Sequence, residues 1–579
     1  MLDTGQPSSS SAAPAPPARE DLYSGEDDPL PHSIPLAGIR LLDAFLPRSA
    51  LYDSPAREPV PRCHGQTRKP VFSSILAWTE NVRLRVGPRI MWLCGSPGCG
   101  KSAVAQTVAE YCAAHRGPGS LGATFFFDHA DAEVCDVQAV VPAIARQLAE
   151  RIPALRPHIS QAVQQDTAIR TRDVEVQAHE LILEPFAALA GVGVDVAAMD
   201  PVLVVIDALD ACVGGENQRV LLSLIARLIA VHHLPLYFFV TSRPSPDILL
   251  AINSPTYRPI RLHLHLDELT FDADIFSFLK AEFAHIEATH PAFQATAESE
   301  HWPTEDIIHF LVNTTARHFL YAATVMQYVG HPDGLPSQRL SEVLSAAANP
   351  AIGRSPFEQL VTYILSTVSP RDPRTGPASL LRALGSLTVL YKPLAFNELR
   401  NLLDPIEQEA VKALKTASPV VHVPEDSPAL DLASTPWNPG HKRRRTIRIP
   451  QRNTIEFLFD ARRAPGHLWV NHGIHHGEMA RRCIRFLGHG MDDAEDGVDL
   501  ITYQYVRKRW TKHLAHALPS AGLLDALRQS RFVYSRVAAE ATAVISWLQM
   551  LSDPPHDILN LWQDWLAKIQ VEPVIGRLV

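Results

Sequence analysis

The stretch GSPGCGKS at positions 95–102, inside MWLCGSPGCGKSAVAQTV (91–108), constrains the fold of this chain more than any other. It satisfies G-x-x-x-x-G-K-[ST] and lies after an apolar run and before an amphipathic stretch, the strand–loop–helix setting that the pattern requires. The glycines at 95, 98 and 100 let successive backbone N–H groups turn inward on phosphate oxygens, and the positive end of the following helix adds to that attraction. Gly95, Ser96, Pro97, Gly98, Cys99, Gly100, Lys101, Ser102 and Ala103 are therefore the candidate contacts to a nucleotide. Lys101 is placed to reach β- and γ-phosphates, and the Ser102 hydroxyl to ligate Mg²⁺.

A loop of this kind needs a buried sheet beside it. From 71 to 270 short apolar runs alternate with amphipathic helical stretches, which predicts an α/β unit with a parallel sheet covered on both faces. Strands are expected at 89–95, 122–128, 201–207, 234–242 and 258–266. The third ends in VLVVIDALDAC, which puts Asp207 where a carboxylate would orient the waters of Mg²⁺. Asp210 follows just past the strand end, either to polarise an attacking water or to cap a turn. The fourth ends in FFVTSRP, leaving Arg243 at the carboxyl edge where open α/β sheets bind ligands, in the position of a γ-phosphate sensor.

The rest of the chain limits the partners. With 579 residues there is more than one domain, and beyond 270 helical patterning replaces strands. A net charge of -9 speaks against a nucleic-acid-coating protein. The seven cysteines lack any C-x-x-C pairing, so neither a zinc site nor a disulfide framework is suggested and a reducing, cytoplasmic setting is expected. No apolar run is long enough to span a membrane, and the first twenty residues do not form a signal peptide. Residues 1–70 carry 12 of the 47 prolines and are expected to be mostly disordered, apart from a helix-like spacing in IPLAGIRLLDAFL (34–46). The basic run HKRRRT (441–446) reads as a solvated loop between two short strands, with a nuclear-localisation patch as the alternative.

The P-loop, DALD and TSRP strings, preceded by RCHGQTR (62–68) and ILAW (75–78), resemble the NACHT class of STAND P-loop NTPases, in particular the fungal group with a nephrocystin-like N-terminal NACHT region. The resemblance runs on through 302–325, 380–403, 454–460 and 475–487. It implies an NTPase domain over 71–270, a helical domain over 271–350, a winged-helix-like domain over 351–465 and a further helical domain over 466–579. It also implies a switch that binds ATP or GTP with Mg²⁺, rearranges its domains and forms a homo-oligomer on activation. Two departures matter. Ala211 stands where the family commonly has a second acid, so slow hydrolysis is expected. Gln451 stands where the family's winged-helix histidine would contact the β-phosphate. The sensor repeats usual in the family are expected to be missing, or supplied by a protein partner.

Other clusters have plainer readings. His263 and His265 share one face of an expected strand and are expected to be edge or interface residues without a metal. His472, His475 and His476 lack a completing ligand for zinc, and Trp562 and Trp565 have core spacing. Three functions fit the chain: a nucleotide-controlled switch, an interaction protein that keeps nucleotide only as a structural ligand, and a small-molecule kinase. The kinase is disfavoured, since no acceptor site is visible.

Overall fold

The computed structural model describes residues 37–57, 60–65, 67–115, 119–294, 302–348, 353–368, 376–424, 445–488, 500–530 and 538–571. Five strands form one sheet: β1 (Ile90–Cys94), β2 (Leu121–Phe126), β3 (Val202–Asp207), β4 (Leu236–Ser242) and β5 (Arg261–His265). All pairings are parallel, in the order β2-β3-β4-β1-β5, so β1 lies inside the sheet with β4 and β5 on either side. Every residue of β1, β3 and β4 is buried, which is why these segments read as continuous apolar runs and not as alternating ones. The pleat sends Ile90, Trp92, Val204 and Phe238 to one face and Met91, Leu93, Val205 and Phe239 to the other.

Four helices fix the sheet's surroundings: α1 (Ala37–Phe45), α2 (Lys69–Arg83), α3 (Lys101–Ala114) and α4 (Val140–Arg151). The second face is covered by α2 and α3 through Val71, Ile75, Trp78, Val104 and Val108. The first is covered by α4, by the helix Gly215–Ala230 and by α1, whose Ile39 and Leu42 are buried. Residues 37–57 are thus part of the packed structure, more of 1–70 than the helix-like spacing at 34–46 alone suggested. The apolar spacing of α1 supplies enough buried surface to offset its ordering, whereas residues 1–36 lie outside the described residues.

From Ile275 to Trp565 the buried side chains form one contiguous helical cluster, with Trp562 and Trp565 inside it. Within this part, beside the helices Pro377–Thr388, Phe396–Arg400 and Pro405–Ala413, Leu394 and His422 form antiparallel bridges with Ile447 and Arg448. Most of the basic run, 441–444, falls outside the described residues. No helix among the described residues is long and apolar enough to cross a membrane.

Candidate functional site at the carboxyl edge of the sheet

The loop 95–100 leaves β1 and enters α3 with two residues in left-handed conformations, Gly98 at φ 80° and Gly100 at φ 101°, which a side chain would strain. Its anchors come from elsewhere in the chain. Asp267, just past β5, accepts from the Ser96 amide at 2.8 Å and the Ser96 hydroxyl at 2.6 Å. Burial opposes its charge, but these Ser96 bonds prevail and hold its carboxyl below the ordinary range. Arg68, buried ahead of α2, donates to the Cys99 carbonyl and to Thr270 Oγ1 and lies 4.6 Å from the Phe319 ring centre. Lys101 folds back over the loop, with Nζ 2.8 Å from both Gly95 O and Ser96 O.

Asp207 ends β3, buried, and accepts from Thr241 Oγ1 at 2.5 Å. Burial raises its pKa, while bonds from Thr241 and Ser102 and the nearby Arg57 and Lys101 oppose that rise. Ser102 and Asp207, named separately from the sequence, are therefore neighbours. Ala208 follows at φ 56°, a strained conformation for a residue with a Cβ, and turns the chain so that Asp210 points back to β4. Asp210 accepts from the Arg243 amide at 2.9 Å. It also pairs with Arg243 Nε at 3.4 Å and Arg452 Nη1 at 3.3 Å.

Arg243 turns its guanidinium toward the helix Arg452–Phe459. Its Nη1 donates to Glu456 Oε1 at 2.9 Å and Oε2 at 3.0 Å, and its Nη2 to Asn453 Oδ1 at 3.1 Å. Arg452 Nε pairs with Glu456 at 2.8 Å, which completes a network of two acids and two arginines. Gln451 is the N-cap position of that helix, and its Oε1 is buried without a hydrogen-bond partner. The helix Phe319–Val329 closes the loop from another side: Leu320 N donates to Gly98 O at 3.1 Å, and a Cβ on Gly98 would meet Leu320 Cβ at 2.9 Å.

Residues 95–103, Asp207, Asp210, Arg243 and Gln451 thus belong to one region. Sequence reasoning missed Asp267, Arg57, Asn453 and Glu456. The first had a usable signal, an acid directly after a strand at the sheet's carboxyl edge. Arg57 lay in a Pro-rich segment without periodicity; it sits with its guanidinium 3.7 Å above the Phe126 ring, and burial lowers its pKa to about 10. Nothing local links Glu456 to a residue 213 positions earlier.

Four buried polar atoms around this edge lack partners: His129 Nε2, His318 Nδ1, Gln451 Oε1 and Thr454 Oγ1. Burial lowers the pKa of His129, with Arg452 and Arg243 adding to the shift and Asp128 and Glu456 opposing it. Such orphans are costly unless a ligand or water satisfies them, so the residues present fit a polar group held at the loop.

Two of the three histidines read as lacking a zinc ligand set, His472 and the buried His476, join a separate network with His513. His476 Nδ1 is 2.8 Å from His513 Nδ1, and its Nε2 is 3.0 Å from His472 Nε2.

No curated protein matches the chain. Solved structures with remote likeness include Drosophila ORC bound to DNA, at 14% identity, over 61% of this chain and 82% of that one, with a TM-score of 0.26. Another is Drosophila ORC bound to GC-rich DNA and Cdc6, at 10% identity, over 94% and 80%, with a TM-score of 0.21. The segment from α2 to Arg243, residues 72–243, matches the model of the family described as Nephrocystin 3, N-terminal, and so contains the loop, both acids and the arginine of the site.

Proposed function

We propose that the chain is a nucleotide-controlled switch of the NACHT type, binding ATP or GTP with Mg²⁺ at the loop 95–103. Lys101 would exchange its two loop carbonyls for phosphate oxygens, since a charge-assisted bond to phosphate is the stronger one. Ser102 and Asp207 would hold Mg²⁺, which supplies charge neutralisation at the phosphates. Asp207 would then lose the penalty that burial puts on its charged form.

The observation that carries the switch reading is the engagement of Arg243 by Glu456 and Asn453. The cation best placed to sense a γ-phosphate is held by a helix more than 200 residues away in sequence. A triphosphate competing for Arg243 would release that helix, and a diphosphate would leave it in place. Nucleotide state is thereby linked to domain arrangement through a contact that differs between two states. The segment 351–465 would act as the winged-helix part, and homo-oligomers or an unidentified protein partner would use surfaces freed by opening.

A second reading, nucleotide kept as a structural ligand, is favoured by Asp210. Its carboxylate is committed to two arginines and has Ala211 beside it, a poor setting for a general base. The two readings separate on exchange. Nucleotide in freshly purified full-length protein is identified by chromatography, and its replacement by a fluorescent analogue is timed. Exchange within minutes supports a switch. Nucleotide that stays bound until unfolding supports a structural ligand.

A further inference from the structure

The sheet carries a second cluster of ligating atoms at its open edge. Strand β5 pairs only with β1, and the register sets Trp92 opposite His263 and Cys94 opposite His265. Residues two apart on a strand face the same way, so both imidazoles and the Cys94 thiol share one face. Cys94 Sγ lies 3.0 Å from His263 Nε2, and one ligand atom from each of the three residues falls within 4.8 Å of the others. Among the described residues no other His, Cys, Asp or Glu set meets that criterion. The His263 ring is stacked on Trp92 with centroids 4.3 Å apart, which fixes its plane with Nε2 toward the sulfur. Cys94 is buried, His265 half-buried and His263 exposed, so the cluster is anchored at one end and reachable from solvent at the other.

From this geometry we propose that Cys94, His263 and His265 form a zinc site of one thiolate and two imidazoles, with the fourth position open to water. Tetrahedral zinc with Zn–N of about 2.0–2.1 Å and Zn–S of about 2.3 Å sets ligand atoms roughly 3.3–3.6 Å apart. The 3.0 Å between Cys94 Sγ and His263 Nε2 and the 4.8 Å bound on the remaining spacings bracket that range. A thiolate with two imidazoles is a borderline-soft set that suits zinc and not Mg²⁺ or Ca²⁺. The charges nearby are mixed: Asp267 and Glu268 on one side, Lys101 and Arg261 on the other, with Arg261 turned away onto Asn253 Oδ1 at 2.8 Å. Burial pushes the Cys94 thiol up to about 12, so it carries its proton before the metal arrives. Binding replaces that proton with the metal, the S–H bond breaking as the S–Zn bond forms, and releases it to solvent; affinity therefore rises with pH.

The site does not depend on nucleotide binding, though it touches the same loop. Cys94 is bonded to Gly95, and two residues past His265 stands Asp267, which holds Ser96. An ion here would tie β1 to β5 beneath the loop and raise the melting temperature by mass action.

Full-length protein, reduced and freed of metal by chelation, is titrated with Co²⁺ and then Zn²⁺ in the absence of nucleotide. The expected result is one Co²⁺ per chain with a thiolate-to-cobalt charge-transfer band and tetrahedral ligand-field bands, displaced by Zn²⁺, with a higher melting temperature. His263→Ala and His265→Ala should each weaken Zn²⁺ binding by at least about 100-fold, since even supporting residues of such sites cost 10–100-fold. Cys94→Ser should abolish the charge-transfer band. Should that variant fail to fold, the histidine variants decide, because the band must fade in them as well. No uptake, Co²⁺ bound without the band, or Zn²⁺ affinity unchanged in the histidine variants would each overturn the site.

Discussion

Lys101 spends its three donors on its own loop, on Gly95 O, Ser96 O and, more weakly, Cys99 Sγ at 3.7 Å. Removing the ammonium leaves two carbonyls to water at the loop's open side, a small loss for folding, but removes the cation placed for phosphate. Lys101→Ala is therefore expected to lower nucleotide affinity at least tenfold, or about 1.4 kcal/mol, by titration calorimetry, with little change in melting temperature. Asp207 behaves in the opposite sense. Its folded pKa is raised, so its charged form is disfavoured in the native state and the ligand-free protein loses stability as pH rises through that pKa. Asp207→Asn should then raise the melting temperature of the Mg²⁺-free protein at neutral pH and abolish the dependence of nucleotide affinity on Mg²⁺. A variant that melts lower and still responds to Mg²⁺ would remove Asp207 from the metal's ligands.

At the scale of elements, legibility follows burial. The strands β1, β3 and β4 could be read because parallel strands covered on both faces become apolar runs, and the loop could be read because its glycines and lysine are dictated by local backbone geometry. The histidine network could not. His472, His475 and His476 are visible as a cluster on the helix His472–Gly488, but the neighbours Tyr505 and His513 come from the helix Leu500–Ala515 and His516 from just past its end, and no periodicity says which helix packs there. Packing settles the chemistry. Burial lowers His475 to about 4 and His476 to about 3, and lowers His513 well below its ordinary value, with the neighbouring imidazoles and Arg482 or Arg509 adding to the effect. A histidine whose folded pKa is depressed contributes stability above its unfolded pKa of about 6.5, and that stability is lost as pH falls toward the folded value. Each such residue costs about 1.4 kcal/mol per pH unit over that window. The melting temperature should thus drop by several degrees between pH 6.5 and 5.5. His476→Gln should flatten the dependence relative to the parent, and parallel curves would show that the imidazole is not held neutral.

Across the whole molecule, the helical part touches the sheet domain at the loop through Leu320 and Phe319 and, among the described residues, at two places through ion pairs. One is the ring of Asp210, Arg243, Arg452 and Glu456. The other joins the segment after β2 to Tyr391, Lys392 and Arg509, through Ala132 N on Tyr391 O at 2.8 Å and through Glu133, which accepts from Lys392 at 3.1 Å and Arg509 at 3.3 Å. The first commits a cation at the sheet's carboxyl edge to ion pairs with the helical part, so it can report nucleotide state, beside the Leu320 N–Gly98 O contact on the loop itself. Glu456 and Arg243 are both partly exposed, at 37% and 22%, which limits their network to the order of 1 kcal/mol after solvent screening. Loss of that amount changes a two-state ratio about fivefold. Glu456→Gln should therefore speed diphosphate release about fivefold in stopped-flow measurements. Gln451 acts in the same helix with the opposite expected sign. Its buried Oε1 finds no partner, and an imidazole there would offer a donor that, once charged, binds phosphate roughly twice as strongly as a neutral group. Gln451→His should slow diphosphate release, and combined with Glu456→Gln it should restore a rate near the parent's, because both act on one equilibrium between closed and open arrangements. If Glu456→Gln releases diphosphate at the parent's rate while Gln451→His slows it, the helix touches nucleotide directly and the Arg243 contact does not hold the closed state.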